Sequence, residues 1–329
     1  SDTMLRLSIA VIAACLLHVA VSIPVGKHHL PKAAEGDLFV LDPAMVQQVN
    51  EDENSTWTAE AYPVFSGMSK KAFRSQMLGL LMDRKYTAPV KSFPASAEPI
   101  PESFDSYAVW PGFTHPIRDQ AKCGSCWAFA ASEALSDRFA IATNGTLNNV
   151  LSPEDMVSCD AGDMGCHGGY IDHAWAYLQK TGIVTDECMP YGAGKGKAPA
   201  CPLKCVDGSP FNRFRVQNYY QREIMAHGPV EAGFRVYSSF MSYKSGVYQK
   251  RIFDILEGGH AIKIVGWGVE PPARRFQKPT PYWLCANSWT ANWGLNGFFK
   301  IRRGANRRGV SECGIQDEVF AGLPLVTVN

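Results

Sequence analysis

Three residue types in this chain can act together on an acyl group. Cys126 lies in the run Gln120-Ala-Lys-Cys-Gly-Ser-Cys126-Trp127, His260 in Gly258-Gly259-His260-Ala261, and Asn287 in Ala286-Asn287-Ser288-Trp289. A thiolate is a nucleophile, and an adjacent imidazole can take up the thiol proton. An amide oxygen bonded to the second ring N–H would fix the imidazole tautomer. Trp289 is placed to shield that bond from water. The three types together point to nucleophilic catalysis by sulfur with histidine as base.

Such a cysteine needs a helix start. Apolar residues at Trp127, Ala130, Ala131, Ala134, Leu135 and Phe139 give the spacing of a helix buried on one face, running from Trp127 to Asn144. Ser125 reads as its N-cap, and Asn144-Gly145 as its stop. A thiol at a helix N-terminus feels the positive end of the dipole, which favours the thiolate. Ser152-Pro153-Glu154-Asp155 opens a second helix, and Tyr170 to Lys180 is a third, ended by Gly182. His173 on that helix reads as structural. Residues 192–200 are a glycine-rich flexible loop with no strand or helix signal of a phosphate cradle. From Pro229 the pattern changes. Val230 to Tyr237, His260 to Trp267, Tyr282 to Asn287 and Gly297 to Ile301 are short β-rich runs without long helices between them, so an antiparallel sheet or barrel is expected. A helical half followed by a β half leaves a cleft between them for a substrate.

The chain has 329 residues and a formal net charge of +1, so nothing favours nucleic acid or an anionic membrane as partner. Residues 5–22 are apolar and end in Ala20-Val21-Ser22, which reads as a secretory signal peptide within 1–22, with Ser1-Asp2-Thr3 an appended scar and no membrane anchor left after cleavage. Of the ten cysteines, Cys15 lies in that leader and the other nine fall between Cys123 and Cys313, which implies disulfides and at least one odd thiol. Residues 23–99 are a separate segment. They hold an acidic patch at 50–53, an amphipathic stretch capped by Ser69 with Phe73, Met77 and Leu81 on one face, and a linker marked by Pro89, Pro94, Pro99 and Pro101. Asn54 and Asn144 head glycosylation sequons.

Cys123-Gly-Ser-Cys126-Trp127, followed by His260 after 134 residues and Asn287 after 161, resembles the papain-family cysteine proteases, and more closely their cathepsin B branch. Further motifs appear in the same order. They include Gly165-Cys166-His167-Gly168-Gly169, Gly228-Pro229-Val230-Glu231, Tyr243-Lys244-Ser245-Gly246-Val247-Tyr248 and Cys313-Gly314-Ile315. The resemblance implies an α+β fold of two domains, a helical left one (about 110–228) and a barrel-like β right one (about 229–312), with the termini crossing between them. It implies that 23–99 is an inhibitory propeptide, that mature enzyme begins near Ile100, and that acid releases the leader. Cys126 and His260 would rest as a thiolate–imidazolium pair, and Gln120 would donate to the oxyanion beside the Cys126 N–H. Gly168 and Gly169 would pair with substrate backbone. Tyr170 and Ala261 would wall the S2 pocket for Phe or Leu, with Glu318 at its base for Arg, and Trp289 would border the site. The implied disulfides are Cys123–Cys166, Cys159–Cys201 and Cys188–Cys205, leaving Cys285 and Cys313 as buried thiols. Peptide and protein substrates, and cystatin-like inhibitors, are the implied partners, with no cofactor and no metal. The implied compartment is a lysosome-like vesicle or the exterior.

One departure matters. Cathepsin B enzymes carry an occluding loop with two adjacent histidines that capture a substrate's C-terminal carboxylate. Here the interval from Cys188 to Cys201 holds no histidine and no extra cysteine pair, and His28-His29 lies in the leader. Lys195 and Lys197 on a glycine-rich loop would not be held. The expectation is an open primed side and endopeptidase activity. Two other classes compete. A dithiol exchanger would need Cys123 free and leaves His260 and Asn287 unexplained. A catalytically dead decoy is opposed by the intact Cys126, His260, Asn287 and Gln120.

Overall fold

The structure, a computed structural model, describes residues 39–83, 100–220, 224–272, 277–305 and 309–326. The signal segment and most of the proline-rich linker lie outside them. In chain order the elements are α1 (Pro43–Glu51), β1 (Trp57–Ala59), α2 (Lys70–Gln76), β2 (Phe104–Asp105), α3 (Ser106–Val109), α4 (Cys126–Ala142), α5 (Pro153–Cys159) and α6 (Ile171–Lys180). There follow β3 (Val216–Tyr220), β4 (Val230–Tyr237), β5 (Tyr243–Tyr248), β6 (Leu256–Glu270), β7 (Thr280–Ala286), β8 (Phe298–Arg302) and β9 (Glu318–Pro324). The strands join in the order β1-β5-β8-β7-β6-β4-β9-β3, with β2 against β6. Every pairing is antiparallel except β5 with β8.

Helix α4 departs from the expected one-sided burial: each residue from Cys126 to Ala140 is buried. Its alanines let neighbours approach from all sides, and its polar side chains have internal partners. Asp137 accepts from Lys263 at 2.6 Å and from the His115 amide at 2.9 Å, and Arg138 donates to the carbonyls of Gly322, Gly228 and Pro229. Ser125 precedes the helix, but its side chain makes no capping bond. Its hydroxyl meets Tyr191 Oη at 2.9 Å instead. Ser152 does cap α5, accepting from the Asp155 N–H at 3.2 Å. The stretch at 192–200 is tied down at its start, where Glu154 Oε2 accepts the N–H groups of Gly192 and Ala193.

Two apolar cores result. One lies among α4, α5 and α6 around Trp127, Leu135, Trp175 and Leu178. The other lies on the sheet around Phe234, Phe240, Trp293 and Phe299, and the segment before residue 100 packs into it through Val40, Met45, Trp57, Phe65, Phe73 and Met77. That segment adds β1 to the sheet edge beside β5. Ser69 caps α2 by accepting from the Ala72 N–H at 3.2 Å. The helix ends at Gln76, so Leu81 is not on its face; beyond Met77 the chain is extended. Helix α1 was not foreseen, although Asp42-Pro43 is its cap and first residue.

Candidate active site

Cys126 opens α4 and is fully buried. Its Sγ accepts the N–H of Gly79 at 3.2 Å and that of Ala261 at 3.4 Å, which sets the sulfur beside the residue following His260. His260 lies within β6, opposite Phe234 of β4. Its Nε2 bonds Asn287 Oδ1 at 2.8 Å, an oxygen that also accepts the Ser288 N–H at 2.8 Å. A carboxamide oxygen only accepts, so Nε2 carries the proton and Nδ1 is the bare nitrogen. Nδ1 has no hydrogen-bond partner among the described residues and is the ring atom that can take a thiol proton. The Trp289 ring lies with its centroid 4.8 Å from that of the imidazole. Phe65 and Phe73 pack edge-on against the same indole, at 5.7 and 5.6 Å.

Gln120 is also fully buried. Its Oε1 accepts from Ser288 Oγ at 2.7 Å, which turns Nε2 toward the carbonyls of Cys123 (2.9 Å), Gln76 (3.2 Å) and Met77 (3.3 Å). Trp289 Nε1 reaches the same Met77 carbonyl at 3.3 Å. The Met77 carbonyl oxygen thus sits where two side-chain donors, Gln120 Nε2 and Trp289 Nε1, converge. Ser288 was missed by sequence reasoning, though it directly follows Asn287. Tyr191, whose Oη donates to the Gln120 carbonyl at 2.9 Å, had no signal in its local sequence.

The segment 79–81 runs along the glycine wall. The Gly169 N–H donates to Gly79 O at 2.9 Å, the Leu81 N–H to Gly169 O at 3.0 Å, and the Leu80 N–H to Gly259 O at 3.2 Å. A Cβ at Gly168 would lie 2.9 Å from Gly79 O, and one at Gly169 would lie 2.5 Å from the Trp127 indole. Only glycine permits this approach. The Leu80 side chain enters a pocket: a Cβ at Gly233 would meet Leu80 Cδ2 at 2.5 Å, Glu318 Oε2 at 2.9 Å and Ile171 Cδ1 at 3.1 Å. Ala261 is buried with Leu80 in the same core. Tyr170 stands at the rim, where its Oη donates to Asp83 at 2.7 Å. Ile171 and Gly233 are pocket residues that the sequence did not single out.

Under this cover, burial pushes the Cys126 thiol up to about 12, against the help of the Ala261 and Gly79 N–H groups. Burial also lowers the His260 imidazole to about 4. Burial thus favours the uncharged form of each group. The resting ion pair expected of the mature site concerns the uncovered cleft; under the leader, desolvation works against charge on both groups.

Residues 100–323 match the family model "Papain family cysteine protease". The chain belongs to this family. Among curated proteins, the protease is 39% identical to Cathepsin B-like cysteine proteinase 4 of Caenorhabditis elegans, over 86% of this chain and 92% of that one. It is 38% identical to a cathepsin B-like cysteine proteinase of Schistosoma japonicum, over 86% and 91%. Among solved structures, procathepsin B S9 from Trypanosoma congolense matches with a TM-score of 0.77 and 30% identity, covering 88% of this chain and all of that one. The protease is cathepsin B-like, has the papain α+β fold, and is made as a proenzyme.

The protease contains the disulfides Cys123–Cys166, Cys159–Cys201 and Cys188–Cys205. Cys126, Cys285 and Cys313 are free and buried. Cys123 is therefore not available for dithiol exchange. Among the described residues no cluster of histidine, cysteine and carboxylate side chains could hold a metal ion. Asn54 and Asn144 are both exposed, the latter with φ 49° just past α4. His173 bonds the Gly162 carbonyl at 2.9 Å and Asp163 at 3.3 Å, away from the sulfur.

Proposed function

We propose that the processed chain is an endopeptidase in which Cys126 attacks a peptide carbonyl, His260 accepts the thiol proton and returns it to the leaving amine, and Asn287 holds the imidazole. Gln120 Nε2 and the Cys126 N–H stabilise the oxyanion, and water then releases the acyl-enzyme. Gly168 and Gly169 align the substrate backbone. Ile171, Gly233, Ala261, Tyr170 and Glu318 shape S2, which accepts Phe or Leu and, through the carboxylate, Arg. Residues 23–99 block the cleft until cleavage near Ile100, and the start of the family match at residue 100 supports that boundary. The three disulfides support passage through the secretory pathway.

One observation carries the reading. A stretch of the chain's own backbone already lies in the groove, with Gly79 N–H on Cys126 Sγ, both Gly169 backbone groups engaged, and the Leu80 side chain beside Glu318. The groove thus accepts an extended peptide. The interval between Cys188 and Cys201 lacks the histidine pair that would seize a C-terminal carboxylate, which supports an open primed side. The test treats processed protein with an epoxysuccinyl peptide, which should label Cys126 and abolish activity. Blocked peptides should be cut internally faster than dipeptides are trimmed from free C-termini. Glu318→Ala should weaken cleavage of peptides with Arg at P2 and spare those with Phe at P2; equal losses would contradict the S2 assignment.

A further inference from the structure

The proenzyme segment also brings two cations to a buried carboxylate beside the cleft. Glu257 lies on β6 three residues before His260, and its side chain is wholly removed from water. Its Oε2 accepts from Arg74 Nε at 2.8 Å and lies 2.8 Å from an Arg74 Nη, while its Oε1 lies 3.2 Å from Lys70 Nζ. These are its ion pairs among the described residues. A carboxylate in such surroundings is costly unless a cation meets it. Both cations sit on α2, ahead of residue 100, and would leave with the leader.

The path of the leader locates Glu257 relative to the scissile bond. Arg74 meets Glu257, Leu78 abuts Gly258 (its Cδ1 3.1 Å from a Cβ placed there), Gly79 meets the sulfur, and Leu80 and Leu81 pair with Gly259 and Gly169. Glu257 and the Gly169–Glu318 wall are thus on opposite sides of Cys126. A substrate whose acyl portion follows Gly169 directs its leaving portion toward Glu257.

We infer that Glu257 is the specificity residue of a leaving-group subsite that takes an arginine or lysine side chain, and that Arg74 and Lys70 occupy that subsite in the proenzyme. The inference rests on the protease reading above. A guanidinium on one carboxylate oxygen and an ammonium on the other is the chemistry such a subsite would offer to a basic residue. Once the leader is gone, the carboxylate keeps neither of these cations, and a substrate cation can replace them.

The test uses processed enzyme and internally quenched peptides that share P2 Phe and differ only at the first or second residue after the scissile bond, carrying Arg, Gln or Glu there. At one of these two positions, kcat/KM for Arg should exceed that for Gln by about tenfold or more, the usual range for a charged hydrogen bond. The ratio should shrink as salt is raised. It should fall to about one in Glu257→Gln and reverse toward Glu in Glu257→Arg. Equal rates for Arg and Gln at both positions in the wild-type enzyme, or an unchanged ratio in Glu257→Gln, would overturn the subsite and leave the protease reading intact. Should neither variant fold, the wild-type ratio and its salt dependence decide the matter alone. A processed chain that cuts no peptide and is not labelled at Cys126 would overturn both.

Discussion

Replacing Gly79 by alanine isolates the threading of the leader past the sulfur. A Cβ at this position would lie 2.0 Å from Gly124 O, 2.4 Å from Gly124 C and 3.0 Å from Gly124 Cα, all of them backbone atoms that no rotamer change can move. Relief requires the leader to back out by an ångström or more. That displacement strains four contacts made by consecutive residues: Gly79 N–H to Cys126 Sγ, Gly79 O to the Gly169 N–H, Leu80 N–H to Gly259 O, and Leu81 N–H to Gly169 O. Losing three of these four bonds at about 1 kcal/mol each costs about 3 kcal/mol, or roughly a hundredfold in affinity. The assay adds a synthetic peptide of residues 39–83, with Gly or Ala at 79, to processed enzyme and measures Ki against a fluorogenic substrate. The enzyme is identical in both arms, so its folding does not enter. A Ki for the alanine peptide within about threefold of the parent would refute the reasoning, since it would mean that the leader does not pass the cysteine in this register.

Two further changes test the surroundings of the site. Gln120→Ala should lower kcat by about a hundredfold with little change in KM, because its Nε2 would act on charge present only in the transition state; stopped-flow acylation with an ester substrate measures the split. Lys263→Ala should destabilise the processed chain by about 3 kcal/mol in urea unfolding, since it removes the ammonium 2.6 Å from buried Asp137, which keeps its bonds to His115, and 4.0 Å from buried Glu133. Burial already pushes the Glu133 carboxyl up to about 7, with Lys263 as its main counterweight, so part of that loss should be recovered as the pH is lowered from 8 to 6 and Glu133 becomes neutral.

Much of the site could be read from the sequence because it depends on residues with unusual chemistry in tight local contexts. Cys126 before an alanine-rich run, His260 after two glycines and Asn287 ahead of Trp289 each occupy an element end or strand that the local pattern announces. Pairings over long distances were less visible. Strands β3 and β9 were not foreseen, although β9 carries Glu318 beside Gly233. The segment Glu318-Val-Phe-Ala-Gly-Leu-Pro follows a turn-rich stretch and lacks the strict alternation of a strand with one wet face. Strand β6 begins four residues earlier than its apolar core, at Leu256, because pairing with β4 extends it through the glycines. The end of α2 was misjudged for a related reason. Met77 and Leu81 keep helical spacing from Phe73, yet the cleft draws the chain into an extended form beyond Met77. Tertiary contact decided each of these against the local pattern.

The electrostatic state of the pair could not be read from sequence at all. A helix N-terminus favours a thiolate, but the leader removes water from both groups, and burial prevails. Removal of the leader should then return water to both groups and favour the thiolate. The rate of Cys126 alkylation by iodoacetamide against pH, followed by mass spectrometry of the Cys126 peptide before and after leader removal, tests this most directly. The full-length chain should react slowly at neutral pH, with no inflection below pH 8, since its thiol is held near 12. After removal the inflection should fall to about pH 4, the range of a histidine-paired thiolate, and Asn287→Ala and His260→Ala should move it back up. A processed chain whose Cys126 titrates as an ordinary thiol near 8.5, unaffected by loss of His260, would contradict the account.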